Sequence, residues 1–396
     1  MKKPGSLLRN TRKTGRLAPL KTCGVPLWMA ARDPRPFALV STRIITALAL
    51  ILPTSTVTAL AAARPQMTVI QLTSNANCNS GGQYYPSIDG KGQKIAFTSW
   101  CDLLPGGNPD LNSELYVMNA DGTGLTQLTF STGPGADEPA ISYNGQKVVF
   151  CSNSDLVPGQ NSDGNSEIFI VNTDGSGLRQ LTHSTGGDPE NFGGNTHPRL
   201  DPGGQRITFS SDRDLIPGHN TDGNHELFLI NIDGTGLRQL TNTTGGYGVF
   251  DPGGLDSTGT KVIFDSDRDM APGGNPDGNY ELYMMNINGT GLVQLTNTTG
   301  GVGCVGPVWT PNTQMVTFWS DRDLAGNNAD GDYEVFRMNL NGTGLIQVTA
   351  GTGGFGAAPW GITPDGKNIT VESDRDLVPG GNPGFNSEIY LIKLRP

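Results

Sequence analysis

Histidine and cysteine are scarce in this chain of 396 residues, which has four of the first and five of the second. His183, His197, His219 and His225 fall in separate loops without metal-ligand spacing, so a histidine metal centre has no basis in the sequence. No Gly-x-Ser-x-Gly elbow occurs either, which removes one common route to a nucleophilic serine. Basic side chains are few beyond the first 63 residues. That leader takes ten of the 27 Lys and Arg and one of the 37 acids, leaving 17 basic and 36 acidic side chains on residues 64–396, a net of −19. A surface that acidic repels phosphate backbones and anionic lipid, which excludes nucleic acid as a partner. Cations, basic proteins and neutral glycans remain. The composition also disfavours helices, because 56 Gly and 27 Pro make up about a fifth of the chain. Such a chain suits short strands joined by tight turns.

Residues 1–63 read as an export leader. A basic stretch precedes the apolar run 44–53, and a Thr/Ser/Ala segment then ends in Ala59-Leu-Ala61 or Ala61-Ala-Ala63, the small residues of a cleavage site. An uncleaved membrane anchor is the lesser reading, since the run reaches spanning length only if its Thr, Ser and Pro are counted. A start at Met29 would leave an ordinary basic head on this signal.

Residues 64–396 are a repeat. The phrase Asn-Ala-Asp-Gly-Thr-Gly-Leu-Thr-Gln-Leu-Thr at 119–129 returns at 172–182, 231–241, 286–296 and 339–349. A Glu opens the strand before each phrase, at Glu114, Glu167, Glu226, Glu281 and Glu334, and again at Glu388, so there are six units. Each unit reads as four strands with Gly turns between the first and second and between the third and fourth. The sixth lacks its fourth strand, while Val69-Ile-Gln-Leu-Thr73 before the first unit supplies an unmatched one. The fold expected is all-β: a six-bladed β-propeller of four-stranded antiparallel blades, closed by an N-terminal strand that completes the last blade.

These units, with Ile-x-Phe-x-Ser-Asp-Arg, Glu-Leu-Tyr-x-Met-Asn and Asp-Gly-Thr-Gly-Leu-x-Gln-Leu-Thr, resemble the propeller repeats of the TolB family. The resemblance covers residues 67–396, without the N-terminal α/β domain of TolB itself. It implies the propeller fold and points to the envelope setting of the Tol–Pal system.

Topology gathers the long loops on one face, where propellers commonly bind. Two sets of loop residues are candidates. The connectors between blades carry the least repeated residues, Tyr84, Tyr85, Asn191, Phe192, His197, Tyr247, Phe250 and Phe355, as a ligand-specific surface would; loop drift would leave the same pattern. The loops between the second and third strands place oxygen-bearing side chains at alternate positions: Asn220, Asp222, Asn224 and Glu226 in blade three, Asn275, Asp277, Asn279 and Glu281 in blade four. Blade six breaks the series with Gly384. Alternate oxygens around a Gly turn are what calcium uses. Turn chemistry with a strand-opening Glu explains the same residues and is the stronger reading, since the calcium-loop consensus is not met. Arg213, Arg268, Arg322 and Arg375 are read as per-blade ion pairs. Cys78 and Cys101 are the expected disulfide, with Cys151 free and buried.

The function expected is an exported, periplasmic or secreted, monomeric TolB-like module that binds a protein or glycan ligand through its long-loop face, with calcium as the one cofactor the loops suggest. It meets the membrane only through an uncleaved leader. The alternative is a carbohydrate-active hydrolase or lyase using loop-face carboxylates.

Overall fold

The computed structural model describes residues 66–74, 81–185, 193–310 and 314–395. The leader at 1–63, Cys78, Asn191 and Phe192 lie outside them. The described residues form six four-stranded antiparallel sheets and no helix. In blade one the strands run Gln83–Ile88, Lys94–Ser99, Glu114–Asn119 and Thr126–Gln127 in spatial order. Four further blades repeat this order. The last is closed by Met67–Gln71, which pairs antiparallel with Glu388–Leu394 through five residue pairs, Met67↔Leu394 to Gln71↔Tyr390.

Register explains the repeated aromatics. The Phe of each second strand stands directly opposite an aromatic of the third, as in Phe97↔Tyr116 and Phe209↔Phe228. The rings stack at 5.5–5.9 Å in blades one to five and are wholly buried, so each blade carries its own apolar centre. Blade six pairs Val371 with Tyr390 instead.

The fourth strand of blades one to five is only two residues long, shorter than its phrase suggests. The cause is the Thr that ends the phrase. Its hydroxyl, not a carbonyl, accepts the N–H of the third strand, as Thr129 Oγ1 does from Leu115 at 2.8 Å. The same hydroxyl donates to the strand-opening Glu114. The Gln two residues before it donates from Nε2 to Gly107 O at 2.9 Å and holds the long loop. Gln71 and Thr73 do both tasks for blade six, donating to Gly381 O at 3.0 Å and to Glu388 Oε2 at 2.5 Å.

Blades meet at a glycine. Ser113, His225, Tyr280 and Tyr333 bridge to Gly135, Gly248, Gly303 and Gly356 at the start of the next inner strand. These glycines have φ of 95–128°, and a Cβ on any of them would stand 1.9–2.2 Å from the preceding blade's carbonyl oxygen. Only Gly allows the approach.

The Glu–Thr contact makes a stability prediction. Thr182 Oγ1 donates to Glu167, accepts from Ile168 N at 2.9 Å and accepts from Asn195 Nδ2 at 3.1 Å. Thr182→Val strips these partners inside a buried cluster at a cost of about 2 kcal/mol. Thermal melts of the variant should shift down by a few degrees, and an unchanged midpoint would refute the role given to this hydroxyl.

Candidate functional site

The inner strands begin on the long-loop face, so their first side chains line the mouth of the central channel. A cavity of about 420 Å³ opens there between blades one and six. Tyr84, Tyr85, His197, Phe250 and Phe355 all line it, drawn from four different blades. Tyr247 stands behind them, edge-on to Phe250 at 5.8 Å and flat on His225 at 4.4 Å.

The sequence reading missed half of the wall. Trp319, Trp360, Glu372, Asp374 and Phe385 complete it. Tyr85 packs edge-on against Trp360 at 4.6 Å, and Phe355 and Phe385 are 39% and 61% exposed at the rim. A signal for two of these residues lay in the repeat. The residue after the stacking position is Thr98, Cys151, Ser210, Asp265, Trp319 and Glu372 around the ring, a position whose chemistry changes from blade to blade, and Trp319 and Glu372 there line the cavity.

Acids line the channel, from half-buried Glu372 in the cavity wall to the fully buried Glu138 and Asp265. Glu372 Oε2 accepts Tyr85 N at 2.7 Å, Glu138 Oε2 accepts His197 N at 2.6 Å, and Asp265 Oδ2 accepts Gly306 N at 2.8 Å. Each bond crosses from one blade to the next and lands on a residue of positive φ, at 57°, 51° and 59°. The acids thus hold a strained inner backbone that aims the neighbouring side chains. His197 Nε2 also lies 3.1 Å from Glu138 Oε1. Arg199 reaches Asp251 at 3.4 Å and lies over the Trp360 ring at 5.5 Å, which puts a cation beneath the cavity floor.

Burial raises Glu138 to about 8, Glu372 to about 7 and Asp251 to about 6, and holds Asp137 and Asp265 well above the carboxylate range. It lowers His225 to about 4 and His197 well below its ordinary value. Burial thus favours the uncharged form of both members of the Glu138–His197 pair, a protonated carboxyl and a neutral imidazole.

The loop residues read as calcium ligands are built into turns. Asp214 accepts the backbone N–H of Gly218, His219 and Asn220, and Asp269 repeats this with Gly273, Gly274 and Asn275. Asn220 and Asn275 donate from Nδ2 to Asn224 O at 2.8 Å and Asn279 O at 2.7 Å. Asp222 and Asp277 accept from Gly245 N and Gly300 N at 3.2 and 2.7 Å. Glu226 Oε1 accepts from Thr243 Oγ1 at 2.7 Å and Glu281 Oε1 from Thr298 Oγ1 at 2.6 Å. Among the described residues no three His, Cys, Asp or Glu side chains converge as a metal group.

The arginines are ion-paired. Arg213, Arg268 and Arg322 pair with the Asp immediately before each, at 3.2, 2.7 and 2.8 Å. Arg375 differs, crossing to blade five to meet Asp332 at 3.0 Å and Glu334. Cys101 is disulfide-bonded, and its expected partner Cys78 is outside the described residues. Cys151 and Cys304 are buried thiols, and Cys151 Sγ donates to Glu138 Oε2 at 3.3 Å.

The architecture defines a TolB-like six-bladed propeller. A putative TolB from Agrobacterium tumefaciens matches at a TM-score of 0.50 and 16% identity, over 84% of this chain and 99% of its own. TolB from Acinetobacter baumannii aligns at 0.46 and 20%, over 67% of this chain and 53% of its own, and an oligogalacturonate lyase from Vibrio parahaemolyticus at 0.45 and 12%, over 84% and 98%. In sequence, the uncharacterized protein Atu1656 of Agrobacterium fabrum is 29% identical over 136 residues, which is 34% of this chain and 41% of that protein. No family model matches.

The channel acids set a pH dependence. Their folded pKa values lie above the unfolded ones, so their contribution is complete below about pH 4 and is lost as pH rises through the folded values, about 6 for Asp251, about 7 for Glu372 and about 8 for Glu138. The two buried histidines, lowered by burial, act oppositely below about pH 6.5, His225 down to about pH 4, but they are outnumbered by five acids. Loop aspartates such as Asp102, lowered by the N–H groups of Gly106 and Asn108, lose their contribution on acidification. Maximum stability should therefore fall at about pH 4 to 5, declining toward pH 8, and Glu372→Gln should flatten the decline around pH 7. A melting temperature that rises from pH 5 to pH 8 would contradict these assignments.

Proposed function

We propose that the protein is an exported binding module that receives a segment of a protein partner in the cavity at the mouth of its channel, on a loop face stiffened by calcium. The observation that carries this reading is the cavity itself. It is concave, mostly apolar, and assembled from the side chains that vary between otherwise uniform blades. Such walls suit an inserted side chain, and two rim aromatics, Phe355 and Phe385, are exposed at its edge. Asp374 gives the cavity an acidic side, in keeping with the acidic ring, so a partner with basic or neutral residues fits best. Export is supported by the leader and by the disulfide at Cys101, which an oxidising compartment such as the periplasm preserves. The fold likeness to TolB is compatible with an envelope partner.

A peptide and glycan array probed with the purified protein tests this. Reproducible peptide binding is expected, with Phe355→Ala and Phe385→Ala each weakening it about tenfold while the melting temperature stays within roughly 2 °C. Binding confined to glycans would replace the partner class. Polysaccharide turnover, read as new reducing ends or unsaturated products, would establish the enzyme reading in its place.

A further inference from the structure

Asparagine side chains in the long loops are buried with their oxygens facing no donor. Asn108, Asn161, Asn165, Asn220, Asn224 and Asn328 are at most 5% exposed, and the Oδ1 of each lacks a hydrogen-bond partner. Their nitrogens fix the orientation. Asn108, Asn161 and Asn220 donate from Nδ2 to the carbonyls of Asn112, Asn165 and Asn224 at 2.8–2.9 Å. Asn112 and Asn165 donate in turn to Ser131 O and Ser184 O at 2.9 Å. A carbonyl only accepts, so the amide oxygens must point the other way, into the loop.

Blade four shows what they point at. The corresponding atom of Asn279 lies 2.8 Å from Asn275 Oδ1 and 3.2 Å from both Asp277 Oδ1 and Glu281 Oε1. Held as Asn112 and Asn165 are held, that atom is oxygen, and four oxygens converge with no proton between them. Turned over, the amide would donate to those three oxygens and accept from Thr298 Oγ1 at 2.8 Å. Calcium binds oxygen at roughly 2.3–2.6 Å, so neighbouring ligands on one ion stand about 3 Å apart, the spacing found here.

Blade five holds a positive charge at the equivalent place. Asp332 replaces the second Asn, and the Arg375 guanidinium contacts both Asp332 and Glu334. Arg268 and Arg322, equivalent in sequence, are instead turned onto Asp267 and Asp321. In blade six Gly384 removes the carboxylate, and Asn382 Oδ1 accepts Asn386 N at 3.3 Å.

The geometry points to four calcium sites, one in each of blades one to four, formed by Asn108/Asp110/Asn112/Glu114 and its three counterparts. Arg375 takes the place of the ion in blade five, and blade six has none. This deepens the calcium part of the proposed function and stands apart from the ligand cavity.

Calorimetric titration of the chelator-treated full chain with calcium chloride tests it. Four ions should bind per chain, and millimolar calcium should raise the melting temperature by roughly 5 °C or more over chelator. Asp277→Asn, which keeps an acceptor for Gly300 N, should reduce the count from four to three. Asp330→Asn in blade five should leave it at four. No uptake at millimolar calcium would overturn the sites and assign the turned-over amide to Asn279. Five or six ions, or a loss with Asp330→Asn, would overturn the assignment to blades. Neither result changes the array readout for the cavity.

Discussion

The carboxylate of the Glu that opens each third strand is the contact on which the rest of the molecule depends. In blades one to three it receives the hydroxyls of the Thr that ends the fourth-strand phrase and of the Thr or Ser two residues on: Thr129 and Ser131 on Glu114, Thr182 and Ser184 on Glu167, Thr241 and Thr243 on Glu226; Glu281 receives Thr298 and Glu334 receives Thr349. The fourth strand, the exit to the next blade and the base of the long loop are thereby tied to one buried charge. Burial raises Glu114 and Glu167, and the hydroxyl and N–H donors that reach them offset part of that rise. In blade six the donor is Thr73, more than three hundred residues away in sequence, so the contact that orders a blade also locks the ring.

Variation is displaced to the positions that this frame leaves free. The frame fixes the second-strand aromatic, the Glu, the Gln and the Thr. It does not fix the side chain after the aromatic or the first residues of the inner strand. Those turn toward the channel, where Glu372, Trp319, Tyr85 and His197 differ from their counterparts in other blades. A symmetric scaffold thus carries an asymmetric cavity. The interblade acids serve both purposes, since Glu138 and Glu372 hold left-handed backbone at His197 and Tyr85 and so aim those residues at the mouth.

Blade count, strand order and ring closure were legible in the sequence because they are written six times, and because Gln71-Leu72-Thr73 matches a phrase whose chemistry is local. The connector aromatics were legible for the opposite reason, as departures from the repeat. Trp360 and Glu372 were harder to see. They sit inside strands, where alternation shows that a residue is inward-facing in its blade but not which part of the channel it meets; that follows only from how six twisted sheets are set around an axis. Arg375 was read as one of a set of per-blade pairs. It matches its counterparts in sequence and differs only because blade five offers Asp332 in place of Asn.

The net charge of −19 on residues 64–396 is distributed by environment. Channel acids are neutralised by retained protons, since burial lifts Glu138, Glu372 and their neighbours toward or beyond neutrality. Asp212, Asp267 and Asp321 are neutralised by the adjacent arginine. Asp102, Asp155, Asp214, Asp269 and Asp376 lie at the surface, half-buried or exposed, and are favoured in the ionised form by backbone N–H groups, which stabilise charge without cancelling it. Asp110, Asp163, Asp222 and Asp277 sit at the turn of the same loops beside inward amide oxygens, with no cationic side chain paired to them among the described residues. Uncompensated acid is therefore concentrated on the face that also carries the cavity. A mobile cation taken up by those loops would relieve their mutual repulsion and stiffen the rim, whereas a basic partner docking at the cavity would meet the same field from outside.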